Sequence, residues 1–119
     1  MIFVFGSNLR GRHGAGAARY AAQHHGAAEG VGEGLTGSAY ALPTCDMQIR
    51  PLPFAEVDAA IVRFCEFART RPDLTFLVTP VGCGLAGHRK RDVWDSLKRH
   101  GLPSNAVLSS TWITDGDAP

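Results

Sequence analysis

Fourteen glycines in 119 residues constrain this chain more than any other feature, because they are clustered. They gather at Gly6 to Gly16, Gly26 to Gly37 and Gly82 to Gly87, and each cluster adjoins a stretch that reads as a regular element. Glycine at such junctions lets the backbone turn left-handed or approach another segment or an anion closely. The chain is therefore expected to place short strands and helices around loops suited to backbone contact.

The elements follow from periodicity. Ile2-Phe3-Val4-Phe5, ended by Gly6, has the continuous apolar character of a central strand buried on both faces. Gly14 to His25 is alanine-rich and capped by Gly26, which predicts a helix whose Ala15, Ala18 and Ala22 permit close packing on a sheet. Gly30 to Gly37 reads as a mobile connection, Ser38 to Pro43 as a second strand and Thr44 to Pro53 as loop. In Ala55 to Thr70, the residues Val57, Ile61, Phe64 and Ala68 recur at helical spacing. Leu74 to Thr79 reads as a third strand, Pro80 to Gly87 as a loop, and Ala106 to Leu108 as a last strand. Between them Lys90 to His100 is a helix with Val93, Trp94 and Leu97 inward, and residues 113–119 are expected to fray. Strands alternating with helices predict an α/β domain that binds ligands beyond the carboxyl ends of its strands.

Composition narrows the function classes. A chain of this length fits a single domain, residues 1–119, and 45% hydrophobic residues suffice for a core without disulfides or a structural metal. Twelve Lys and Arg against eleven Asp and Glu leave a net charge of +1, too little field for general nucleic-acid binding. No apolar run is long enough to span a bilayer, and the first residues lack the pattern of a signal peptide, so a cytoplasmic protein without membrane attachment is expected. Cys45, Cys65 and Cys83 lack paired spacing, which predicts reduced thiols; with His13 and His88 they show no zinc-ligand spacing, and no metal is expected.

Two loops carry the chemistry. The first, Gly6-Ser7-Asn8 through Gly11, Arg12, His13, Gly14, Ala15, Gly16 and Ala17, joins a buried strand to a helix N-terminus. Unpaired N–H groups and the positive end of the helix dipole make that junction suited to phosphate. Its glycine spacing is a weak match to the dinucleotide fingerprint, since Arg19 stands at the third glycine position. The second, Pro80-Val81-Gly82-Cys83-Gly84-Leu85-Ala86-Gly87, lets the backbone wrap an anion without a charged side chain. Arg10 and Arg12 with Arg89, Lys90 and Arg91 form either a local basic rim or simply a solvated surface.

Phe5 to Leu9, Gly14-Ala15-Gly16-Ala17-Ala18, Tyr40 to Thr44 and Gly82-Cys83-Gly84-Leu85-Ala86-Gly87 together resemble the macrodomains. The similarity is to the terminal ADP-ribose protein glycohydrolase branch and to small phage and bacterial macrodomain-like proteins, and runs from about Phe3 to Leu97. It implies one small three-layer α/β/α domain with a mixed, partly parallel sheet. It also implies recognition of ADP-ribose or a related nucleotide, free or on an ADP-ribosylated macromolecule, with no cofactor required. On this resemblance Asn8 faces the distal ribose, Gly14 to Ala17 one side of the diphosphate, and Gly82 to Gly87 the other. Gly6, Ser7, Gly11, Arg12, Thr44, Pro80 and Val81 complete the expected binding set.

Macrodomains usually open with a further strand and an aspartate that contacts adenine; this sequence starts at the next strand, so base preference stays open. Where the glycohydrolase branch keeps a catalytic lysine and aspartate, this sequence has Cys45 and Ala86. If the protein is an ADP-ribosyl hydrolase, His13 and Asp46 are the residues available to polarise water. The alternative is a Rossmann-like hydrolase of a nucleotide N-glycosidic bond, which requires Asp46 or Glu33 in the pocket. A purely structural domain would fill the strand edge with Leu85 and Arg12. The sequence leaves the oligomeric state open.

Overall fold

A computed structural model of the chain describes residues 1–113. In chain order it contains β1 (Ile2–Asn8), α1 (Gly16–His24), β2 (Gly34–Thr36), β3 (Ala39–Cys45), α2 (Phe54–Thr70), β4 (Phe76–Val78), α3 (Lys90–Arg99) and β5 (Ala106–Leu108), followed by a 3₁₀ turn at Ser110–Trp112. The strands form one sheet in the order β2-β3-β1-β4-β5. All neighbours are parallel except β2, which runs antiparallel to β3. The mixed, partly parallel sheet matches the expected fold class.

β1 lies at the centre, and its side chains divide the molecule into layers because successive residues of a strand face opposite ways. Ile2 and Val4 join the larger core with Val57, Ile61 and Phe64 of α2 and Val93 and Leu97 of α3. Phe5, with Phe3 at its margin, joins a smaller core with Ala18 and Ala21 of α1. The helix face turned to the sheet is thus Ala18 and Ala21; Ala15 is exposed and Ala22 only half-buried. Trp112 is buried beneath the larger core, its indole N–H donating to the Val78 carbonyl at 2.8 Å, while Trp94 packs on it at its margin.

Three of the differences from the sequence reading have a clear physical reason. β1 does not stop at Gly6 but runs to Asn8, because β3 continues beside it and pairs Gly6 with Leu42, Ser7 with Pro43 and Asn8 with Cys45. Thr44 and Cys45 are accordingly strand, not loop. Proline is tolerated at position 43 because β2 pairs only with Ala39 to Ala41, so on that side β3 is already an edge. The Gly30 to Gly37 connection contains β2, a three-residue edge strand too short to leave a periodic signal. Of the tail expected to fray, Ile113 is exposed and the rest lies outside the described residues.

Candidate binding cleft at the strand ends

The carboxyl ends of β1, β3 and β4 open into a cleft of about 630 Å³. Its floor is Gly6, Ser7 and Asn8 of β1 with Thr44 and Cys45 of β3 and Thr79 after β4. The three strands converge tightly: a side chain at Gly6 would sit 3.1 Å from the Gly82 nitrogen and 3.2 Å from the Thr44 hydroxyl. The Thr44 hydroxyl donates to the Ser7 carbonyl at 3.2 Å, and that of Thr79 to the Val4 carbonyl at 2.6 Å. Both hydroxyls tie strand ends together.

One wall is the N-terminus of α1, through Gly14, Ala15, Gly16, Ala17 and Ala18. No side chain caps this helix, and the N–H of Arg19, donating to the Ala15 carbonyl at 3.2 Å, begins its hydrogen-bond ladder. The N–H groups ahead of it therefore have no intrahelical acceptor and present the positive end of the dipole to the cleft. The opposite wall is Pro80, Gly82, Gly84, Leu85 and Ala86. Gly82 adopts φ +74°, and the turn closes through Gly87 N–H to the Gly84 carbonyl at 3.0 Å and His88 N–H to the Gly82 carbonyl at 2.9 Å. Among the described residues, the backbone N–H groups of Gly84, Leu85 and Ala86 find no backbone acceptor.

Most of the expected binding set thus meets around one cavity, but four members do not. Gly11 is buried beneath the first loop, its carbonyl accepting the Gly30 N–H at 2.9 Å. Val81 belongs to the larger core. Cys83 packs against that core, its thiol directed to the Val81 carbonyl, and Gly87 closes the turn from behind. Asn8 lines the cleft, yet its amide donates to the Arg12 carbonyl at 2.8 Å and accepts the Arg12 N–H at 3.0 Å. Its geometry is that of a loop clamp with one amide hydrogen to spare.

Neither residue expected to polarise water lies in the lining. His13 is 4% exposed, set edge-on against Phe5, with its Nε2 donating to the Ala28 carbonyl at 2.9 Å. Its own N–H donates to the Glu29 carboxylate at 2.8 Å, so it anchors the loop to residues 28–29 instead of facing a ligand. The Asp46 carboxylate accepts the N–H groups of Gln48 and Arg50, both at 2.9 Å. The Arg50 N–H first, then the Gln48 N–H and the Arg50 guanidinium, hold its carboxyl below the usual range. It stabilises a turn. Glu33 pairs with Arg63 at 2.6 Å, also outside the cleft, which removes both acids that N-glycosidic cleavage required. The cleft is not filled by Leu85, which is 75% exposed.

Arg10, Ala18, Cys45, Ile49 and Thr79 line the cleft in addition to the expected set. Thr79 carried a signal, being the last residue of a predicted strand. Arg10 did so only as part of a basic rim, and that rim divides: Arg10 and Arg12 reach the cleft, whereas Lys90 is buried with its ammonium donating to the Thr111 carbonyl at 3.0 Å. Cys45 is 3% exposed, and burial pushes its thiol up from the ordinary value.

No protein-family model matches the sequence, and no curated protein is similar to it. Among solved structures, the macrodomain of Mycobacterium tuberculosis DarG superimposes with a TM-score of 0.65 over 90% of this chain and 86% of that one, at 19% identity. The chain has a macrodomain fold. Within this macrodomain architecture, the two glycine-rich loops frame a single cleft at the carboxyl edge of the sheet. Among the described residues, no helix is long and apolar enough to cross a membrane.

Proposed function

We propose that this macrodomain-fold protein binds ADP-ribose, free or attached to a macromolecule, by holding its diphosphate between the N-terminus of α1 and the Gly82 to Ala86 loop. The observation that carries this reading is that two stretches whose backbone N–H groups have no backbone acceptor among the described residues, the first turn of α1 and Gly84 to Ala86, line one cleft of about 630 Å³, large enough for a nucleotide. Backbone donors match a diphosphate because they supply several fixed hydrogen bonds and partial positive charge at no cost in side-chain entropy. Among the described residues, Arg10 and Arg12 are the charged side chains of the lining, and both are positive, which favours an anion.

Binding, not turnover, is the activity these residues support. Among the described residues, the lining contains no carboxylate, imidazole or ammonium. The positions matching the lysine and aspartate of the glycohydrolase branch are both at the cleft, occupied by a buried thiol and by Ala86. A thiol whose ionisation is pushed up by burial is a poor nucleophile at neutral pH.

Isothermal titration with ADP-ribose tests the reading. Saturable binding is expected, and absence of heat at millimolar ligand rejects it. Incubation with an ADP-ribosylated protein separates the activities: retention without release of ADP-ribose is expected of a binder.

A further inference from the structure

Ile49 is the one non-glycine residue with a positive φ, +62°, among the described residues. A β-branched side chain is poorly suited to that region, where Cβ crowds the backbone. The conformation is imposed by Asp46, whose Oδ1 accepts the Gln48 and Arg50 N–H groups at 2.9 Å each. The Arg50 guanidinium lies 3.5 Å from the other carboxylate oxygen. The Ile49 N–H donates to the Asp46 carbonyl at 3.0 Å, and the Asp46 N–H to the Arg50 carbonyl at 2.7 Å, so the turn is closed from both ends.

Among the described residues, no core packing compensates for this arrangement. Ile49 belongs to neither apolar core and is 36% exposed, yet it lines the cleft. Its loop follows β3 and the Leu85 loop follows β4, on either side of β1, so two exposed apolar side chains stand on opposite flanks of the cleft floor. Strain retained at a cleft by a side chain that belongs to neither core points to a ligand.

We propose that Ile49 is a specificity-determining residue of the cleft, held by Asp46 as a positioning residue, and that it supplies the apolar wall for a ring face flanking the diphosphate. The inference rests on the ADP-ribose reading and names what lies beside the phosphates: the face of a ribose or base, which a bare inorganic anion lacks. An apolar side chain fixed in advance contributes affinity because little freedom is lost when the ligand arrives.

The test measures ADP-ribose affinity by titration and thermal unfolding in parallel for the wild type, Ile49→Gly, Asp46→Ala and the double variant. Glycine accepts the left-handed conformation, so Ile49→Gly is expected to unfold at no lower a temperature than the wild type while binding about five- to tenfold more weakly. A merely structural residue would not separate the two readouts in this way. Asp46→Ala is expected to weaken binding by a similar factor, and the double variant to bind no more weakly than Ile49→Gly, since both changes act through one side chain. Wild-type binding matched by Ile49→Gly overturns this inference and leaves the reading of the cleft standing. A wild type that ignores ADP-ribose overturns both.

Discussion

Asn8 and Arg12 are joined by two hydrogen bonds between one amide side chain and one residue's backbone, 2.8 Å to the Arg12 carbonyl and 3.0 Å from its N–H. Together they close the turn that carries the chain from β1 toward α1, and so fix where the helix N-terminus meets the cleft. Asn8→Ala leaves both Arg12 groups without this partner and is expected to cost about 1–2 kcal/mol in denaturant unfolding. ADP-ribose affinity should fall at least tenfold, because donors of a loosened loop must be ordered on binding. Asn8→Asp keeps the acceptor but sets a carboxylate oxygen against the Arg12 carbonyl, and titration should show it to be no better than alanine.

Gly11 tests whether the first loop depends on backbone packing. Its φ is +75°, and a Cβ there would overlap the backbone of Gly30 and Val31. Gly11→Ala therefore meets both a disfavoured conformation and a rigid obstacle. It should destabilise the fold by more than about 2 kcal/mol. Gly14→Ala is the control, since among the described residues nothing beyond its chain neighbours lies within 4 Å of its added methyl group. Denaturant midpoints of the two variants should differ sharply.

That contrast also shows where sequence reasoning succeeds and where it stops. α2 and β5 were legible because their signals are local: Val57, Ile61, Phe64 and Ala68 mark a helix face, and Ala106 to Leu108 an apolar triplet. The two glycine-rich loops were legible as loops because glycine clusters beside strands mark turns. What pattern cannot show is which distant segment lies against a residue. Gly6 looked like a strand end, yet the strand continues through it because β3 runs on beside it and pairs Gly6 with Leu42. His13 looked like a base beside a phosphate loop, but Phe5 and Ala28 enclose it. Ile49 carried no signal at all, since its conformation follows from the hydrogen bonds that Asp46 makes to its neighbours.

Away from the cleft, Asp58 of α2 ties that helix to α3. Its carboxylate accepts from the Ser96 hydroxyl at 2.5 Å and pairs with Arg99 at 2.7 Å and His100 at 3.0 Å. Burial alone would raise its ionisation, but the Ser96 and His100 hydrogen bonds and the Arg99 guanidinium outweigh it, leaving the carboxyl below the ordinary value of 3.8. A carboxyl depressed in the folded state contributes stability above its unfolded value, lost as pH falls through the folded one. The urea midpoint should therefore drop in acid, below about pH 4. Asp58→Asn should lower the midpoint at pH 7 and flatten that acid limb. An unchanged limb would assign the acid sensitivity to other carboxylates.

Arg10 and Arg12 make a separate prediction, because both are exposed and act through water. Charges in that setting attract an anionic ligand at long range and are screened by salt, whereas backbone donors at the α1 N-terminus are screened less. Arg10→Ala with Arg12→Ala should weaken ADP-ribose binding about three- to tenfold at low ionic strength, the usual scale for two exposed charges. At about 0.5 M salt, where the Debye length is only a few ångströms, most of that difference should vanish. Titrations of wild type and double variant across a salt series check this. Parallel curves would mean that the arginines act by direct, desolvated contact, and a variant indistinguishable from wild type at every salt concentration would remove them from the site.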